Sequence, residues 1–271
     1  MKRKSPASYR AYMIAVLLFL YLPIFVLIFF SFNESKSASL FTGFSLRWYR
    51  RLLQDEAIFS ALMVTLLIAL VSSVVATVLG TAAAVGLSGA GKWQRSLVMN
   101  ITYVPVVNPE VVTGVSLMLL FAAARQLFGS FPMGIPTLII AHITFNVPYI
   151  IFSVSPKLRQ LDPSLYNAAM DLGCNPMQAL FKVVIPEILP GIITGFLIAV
   201  TYSIDDFIIS YFTAGTVQTL PIAIYSMTRR NISPEINALS TLLFVIVLGI
   251  LLIMNLHDIR TGNKEAKPVS L

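Results

Sequence analysis

The sequence predicts an all-α membrane protein of six transmembrane helices with both termini cytoplasmic. Three observations carry that prediction. Of the 271 residues 57% are hydrophobic and only 11% charged, whereas a soluble domain carries about 25% charged residues. Mean hydropathy is +0.82. Six apolar stretches, roughly 11–32, 59–87, 97–124, 137–154, 188–212 and 238–256, are each long enough to cross the ~30 Å hydrocarbon core. Helices satisfy their own backbone groups in lipid, and the alternation of a membrane barrel is absent. Six spans put both ends on one side. With the N-terminus inside, twelve Lys and Arg fall in inner segments and seven in outer ones, the arrangement of the positive-inside rule. The net charge of +7 is therefore topology and not a nucleic-acid footprint. One domain, 1–271, is expected, with no folded part outside the membrane.

The first span exceeds the 7–15-residue apolar core of a secretory signal and no A-x-A site follows it, so it stays in the membrane. The outer loop 33–58 is too short for its own core. Within it Leu46, Tyr49, Leu52 and Leu53 share one helical face beside Arg47, Trp48, Arg50 and Arg51, the pattern of an interfacial amphipathic helix. Between spans two and three, Gly86, Gly91 and Lys92 match G-x-x-x-x-G-K. Trp93 replaces the hydroxyl residue that holds Mg²⁺, and a helix precedes where a strand is needed, so this is a turn and not a nucleotide site.

Pro105 and Pro109 break span three. Asn108-Pro109 reads as a fresh helix start with Glu110 in the first turn, where the helix dipole favours an anion. Glu110 is either that dipole partner or a substrate contact at a broken helix, where transporters build binding sites. In span four His142 and Asn146, four apart, read as an interhelical hydrogen-bonding pair and not a metal site.

The inner loop 155–187 is partly polar. Asp162-Pro163 starts a helix, and Leu165, Ala168, Ala169 and Leu172 share one of its faces. Gly173 ends it. Asn175-Pro176 starts a second helix with Met177, Leu180, Phe181 and Val184 on one face, and Pro186 closes the segment. Two short helices joined by a Gly bend make a knob suited to a cleft on a soluble partner. Cys174, the single cysteine, excludes an intrachain disulfide.

Span five holds Asp205 and Asp206. A central Asp costs roughly 2.5–3.5 kcal/mol to insert, so such residues face a polar cavity or a partner. On a continuous helix Tyr202, Asp206, Ser210 and Thr213 form one polar stripe, with Asp205 about 100° away. Asp206 is thus expected to be the pathway carboxylate and Asp205 its neighbour. A carboxylate in low dielectric attracts ammonium groups, and Tyr202, Phe207 and Tyr211 add cation–π faces. That chemistry suits a linear polyamine. An intramembrane aspartyl enzyme is disfavoured, because a dyad needs two convergent carboxylates and adjacent helical residues diverge.

Ala168, Ala169, Gly173, Ile185 and Pro186 resemble the E-A-A-x-x-x-G loop of ABC-importer permeases, with Asn167 where that family has Glu. The runs 108–121, 141–152, 203–215, 219–227 and 233–243 resemble, in order, the spermidine/putrescine permeases of the PotC type. The resemblance implies a type I importer permease fold in a bacterial inner membrane, with no catalytic residue, cofactor or metal on this chain. It implies a second homologous permease, two ATPase subunits that bind ATP and Mg²⁺, and a periplasmic or lipid-anchored binding protein that touches the outer loop. It assigns ATPase coupling to Asn167, Ala168, Ala169, Gly173 and Pro186, and leaves other cations, ferric iron or thiamine, as alternative cargo.

Overall fold

The computed structural model describes residues 7–35, 40–129, 132–230, 235–245 and 248–249. In chain order the helices are α1 (Ala7–Ser31), α2 (Arg47–Gln54), α3 (Glu56–Ser88), α4 (Lys92–Val107), α5 (Glu110–Phe128), α6 (Ile135–Gln160), α7 (Pro163–Asp171) and α8 (Pro176–Ala179). A π turn (Leu180–Val184) leads into α9 (Ile185–Asp205), followed by α10 (Ile208–Thr213) and α11 (Leu220–Arg230). A shorter apolar helix, α12, covers Glu235–Val245. Among the described residues five helices are long and apolar enough to cross a membrane: Ala11–Ser31, Glu56–Ser88, Glu110–Phe128, Ile135–Gln160 and Pro176–Asp205. Residues 246, 247 and 250–256 of the expected sixth span, 238–256, and the C-terminal segment lie outside the described residues, as do Lys2, Arg3, Lys4 and Lys36.

The chain divides into two compact units, one of residues 1–58 with 224–271 and the other of residues 59–223. In the first, the amphipathic pattern of 46–53 folds as α2. Trp48 is 1% exposed, and its indole N–H donates to the carbonyl of Asn33 at 2.6 Å. The Tyr49 and Ser31 hydroxyls are 2.7 Å apart. These two bonds fix α2 against the end of α1. Arg51 pairs with Glu235 at 2.8 Å.

In the second unit α6 is the axis. The α9–α10 segment runs antiparallel along it, and the pairs read as a ladder. Ser153 donates to the carbonyl of Gly191 (3.0 Å), Asn146 Nδ2 to the Ser203 hydroxyl (2.8 Å), and Thr137 to the carbonyl of Thr213 (2.7 Å). Small residues allow this approach, as expected for packing in lipid, where helices gain no hydrophobic drive from one another. A Cβ on Gly80 of α3 would stand 2.6 Å from Ile150 Cβ. Gly80→Leu therefore forces α3 off α6; overpacking costs about 1–3 kcal/mol, expected as a lower thermal midpoint of the detergent-purified chain.

The third span is broken, as its prolines suggest, but only at Asn108 and Pro109, which are extended. Pro105 stays inside α4, so it is not a second break. Tyr103 of α4 packs on Phe152 in the C-terminal half of α6, ring centroids 4.4 Å apart. Leu117 and Phe121 of α5 join Ala141 and Phe145 in its N-terminal half. Together α4 and α5 follow the length of α6.

Span five also departs from its expected limits of 188–212. It starts at Pro176 and ends at Asp205. Pro186 does not close the preceding segment; it occupies the second position of α9. A proline ring clashes with the carbonyl four residues back and removes one N–H, and the π turn before it relaxes that conflict by widening the ladder.

Candidate functional site

Two regions of the second unit carry unusual polar chemistry. The first is the break between α9 and α10. Neither Gly nor Pro makes it. Asp206 is extended (φ −65°, ψ 116°), and its carboxylate accepts the backbone N–H groups of Ile209 (3.2 Å) and Ser210 (2.7 Å). These are first-turn donors of α10 that a continuous helix would direct to its own carbonyls. An Asp side chain competes for such donors, which is why it favours caps over helix interiors. His142 Nε2 of α6 lies 3.0 Å from the Ser210 hydroxyl and 3.6 Å from Asp206 Oδ2. Ser203 receives Asn146 and lies 3.3 Å from the Ser72 hydroxyl of α3. The His142 and Asn146 pair is thus used across helices, one residue on each side of the break.

This geometry overturns the continuous stripe. Ser210 and Thr213 are fully buried and the Asp206 side chain is 6% exposed, whereas Tyr202 is 46% exposed. The four do not share one open face. Asp205, the last residue of α9, is exposed. Among the described residues its carboxylate has no hydrogen-bond or ion-pair partner, and neither does that of Glu110, exposed in the first turn of α5. Asp205 also stands where the helix leaves its last carbonyls unpaired, at the negative end of the α9 dipole. Side chain and backbone there attract the same thing, a cation.

Aromatic rings surround the break. Tyr202 meets Tyr149 of α6 edge-on at 4.7 Å. Tyr211, also exposed, contacts Phe207 (5.5 Å) and Phe212 (5.7 Å). The structure thus joins Tyr202 to Tyr149 and Asp206 to His142. Tyr149 escaped the sequence reading because its partners lie on other helices; its only local signal is a polar ring three residues after Asn146.

The second region is the bent pair α7–α8. Asp162 caps α7 by accepting the Ser164 N–H (2.9 Å), and that bond holds its carboxyl below the ordinary carboxylate range. At the other end Gly173 has φ +89°, a conformation that only glycine adopts freely. The Cys174 N–H donates to Ala169 (3.0 Å) and the Gly173 N–H to Met170 (2.9 Å), the two bonds of a Schellman motif. Asn175 and Gln178 cap α8 reciprocally at 2.8 and 3.0 Å. Four local devices thus fix the bend without help from the bundle. Ala169 and Ala179 face inward and are buried. Asn167, Ala168, Gly173 and Pro186 are exposed, as are Leu172 at 87%, Met177 at 61% and Phe181 at 62%. The pair is not tucked among the long helices; it offers an apolar surface.

Among the described residues no cluster of His, Cys, Asp or Glu could hold a metal ion. Asp206 faces backbone N–H groups and a histidine, with Asp205 turned outward, so the two acids do not form a shared-proton dyad.

Comparison with known proteins gives a consistent result. Residues 76–259 match the family described as binding-protein-dependent transport system inner membrane component. The chain is 42% identical over 229 residues, 83% of its own length and 81% of the relative's, to the putrescine transport system permease protein PotI of Escherichia coli (strain K12). It is 33% identical over 255 residues, 93% of its length and 95% of the relative's, to the spermidine/putrescine transport system permease protein PotC of the same organism. A chain from the crystal structure of a bacterial alginate ABC transporter, in complex with alginate pentasaccharide-bound periplasmic protein, superposes with a TM-score of 0.70. It covers 94% of this chain and 93% of its own at 19% identity, a likeness of fold.

Proposed function

This chain belongs to the family of binding-protein-dependent transport system inner membrane components, a multi-pass permease subunit and not an enzyme, and on that premise we propose that its cargo is a polyamine, putrescine or spermidine. The observation that carries the cargo is the exposed Asp205 at the C-terminal end of α9, beside Tyr202. Broken helices in transporters present such ends to coupling ions and substrates. A linear diamine or triamine brings charged ends for Asp205 and Glu110 and an apolar stem for Tyr202 and Tyr211. Asp206 shapes this place: it holds the break open and, with His142, fixes α10. The names of the relatives at 42% and 33% identity support the same cargo.

The chain works as one permease domain, with both termini cytoplasmic, beside a second homologous permease. Two ATPase subunits bind ATP and Mg²⁺ and hydrolyse the nucleotide. They grip α7–α8 through Ala168, Leu172, Gly173, Met177 and Phe181, with Asn167 supplying a neutral contact where the related loop has Glu and Pro186 at the root of α9. A periplasmic or lipid-anchored binding protein delivers the polyamine to the outer face. Closure of the ATPases drives the α9–α10 side against α6 and switches access to Asp205. Such coupling requires the ATP-bound partner to bind one conformation better than the other.

The test is uptake by proteoliposomes holding the assembled complex and binding protein, supplied with labelled putrescine and spermidine, and in parallel with ferric iron and thiamine. ATP-dependent entry of a polyamine is expected. Entry of iron or thiamine with polyamines excluded would overturn the cargo while leaving the permease assignment in place.

A further inference from the structure

A pocket of about 220 Å³ opens at the end of the second unit that carries α7 and α8. Ser88 at the end of α3, Arg95 and Met99 of α4, and Ser155 and Arg159 of α6 contribute to its walls. Its volume is several times the roughly 30 Å³ share of one water. Two guanidinium groups line it and no carboxylate does. Among the described residues neither Arg95 nor Arg159 is ion-paired, and Arg159 Nε makes only a long contact to the Ser155 carbonyl (3.4 Å). Ser155 is buried, Arg95 half-buried and Arg159 exposed. The remaining wall is apolar, and beside it Trp93 and Leu97 of α4 are exposed. The Ser88 hydroxyl donates to the Val85 carbonyl (2.7 Å), which leaves two arginines without ion-pair partners and the Ser155 hydroxyl to match a phosphate, which arginine binds through parallel N–H bonds. Basic pockets between membrane helices at the cytoplasmic rim fit anionic headgroups, with the apolar side left for the start of an acyl chain.

We propose that the Arg95–Arg159 pocket binds a phosphate group, carried by an anionic phospholipid headgroup or by free phosphate. The proposal rests on the membrane-spanning reading of the unit and not on its cargo, so a failed uptake assay leaves it standing. The full-length chain is purified in mild detergent, stripped of lipid and placed in nanodiscs of phosphatidylcholine with or without phosphatidylglycerol. Native mass spectrometry counts retained phosphatidylglycerol, and thermal midpoints are taken with and without millimolar inorganic phosphate. Arg95→Gln or Arg159→Gln is expected to weaken phosphatidylglycerol retention by about fivefold, and the double variant by roughly thirtyfold. Lys92→Gln, on the same rim outside the pocket, is expected to change it by less than about twofold. Phosphatidylglycerol retention that ignores inorganic phosphate assigns the lipid. A thermal shift from inorganic phosphate alone, lost in the double variant, assigns the free ion. The proposal is overturned if the double variant retains as much phosphatidylglycerol as wild type and shows the same phosphate response. An equal loss in Lys92→Gln also overturns it, because the attraction is then that of the whole rim.

Discussion

Asp205→Asn lowers polyamine uptake at subsaturating concentration by about two orders of magnitude. Asp205 is exposed on this chain; in the proposed assembly the second permease and the bound polyamine cover it, and removing one member of a charge pair desolvated in that way costs roughly 2–5 kcal/mol, with each 1.4 kcal/mol about tenfold. Asp205→Ala does the same, because only the charge is at stake there. Asp206 behaves differently. The Ile209 and Ser210 N–H groups reach different oxygens of Asp206; Asn keeps one acceptor oxygen and hence one of the two bonds, so Asp206→Asn keeps part of the cap, the break and most of the uptake. Asp206→Ala loses the cap, and such losses cost about 0.5–2 kcal/mol of stability, seen as a lower thermal midpoint together with reduced uptake. Initial rates with labelled putrescine, set beside thermal unfolding of each variant, separate the two. Full uptake in Asp205→Asn would remove this residue from the cargo path.

Leu172→Asp combined with Phe181→Asp abolishes uptake while the chain still inserts and folds. Both side chains are largely exposed, so a charge there disturbs no core in the free subunit. In the docking proposed above they fill apolar positions on the ATPase, and losing such an anchor costs at least about 2 kcal/mol. Two anchors together reduce the ATPase that co-purifies with an affinity-tagged chain by well over tenfold, and substrate-stimulated ATP hydrolysis falls in step. Undiminished ATPase retention would mean that the motor docks elsewhere.

What the sequence made legible depended on whether the governing interaction was local. The bend at Gly173 was readable because its parts, Asp162, Gly173 and Asn175, lie within a short stretch and each has a standard conformational job. The break at Asn108-Pro109 was readable because Asn-Pro is a helix-start pair and proline turns the residue before it away from the helical region, although Pro105 three residues earlier is carried inside α4. The α9–α10 break was not. An aspartate inside an apolar run looks the same whether it lines a stripe or captures the N–H groups of the next turn, and no Gly or Pro marks the place. The roles of Asp205 and Asp206 changed accordingly. Pro186 misled for a related reason: the second position of a helix and the stop after one both accept proline, and nothing in Leu180–Val184 announces a π turn. Tyr149 and the Arg95–Arg159 pocket depend on residues from separate helices, which spacing along one helix cannot reveal.

The π turn also sets an angle. It amounts to one surplus residue in a rod that runs from Pro176 to Asp205, and each residue of an α-helix accounts for about 100° of rotation. Met177 and Phe181 therefore point in directions that a uniform rod would not give them. Trimming one residue from Leu180–Val184 would swing the docking end like a mistimed cam while leaving Asp205 where it is. On the proposed docking, the rod would carry the stroke of the motor along its length, and this single extra residue would set the direction in which that stroke is aimed.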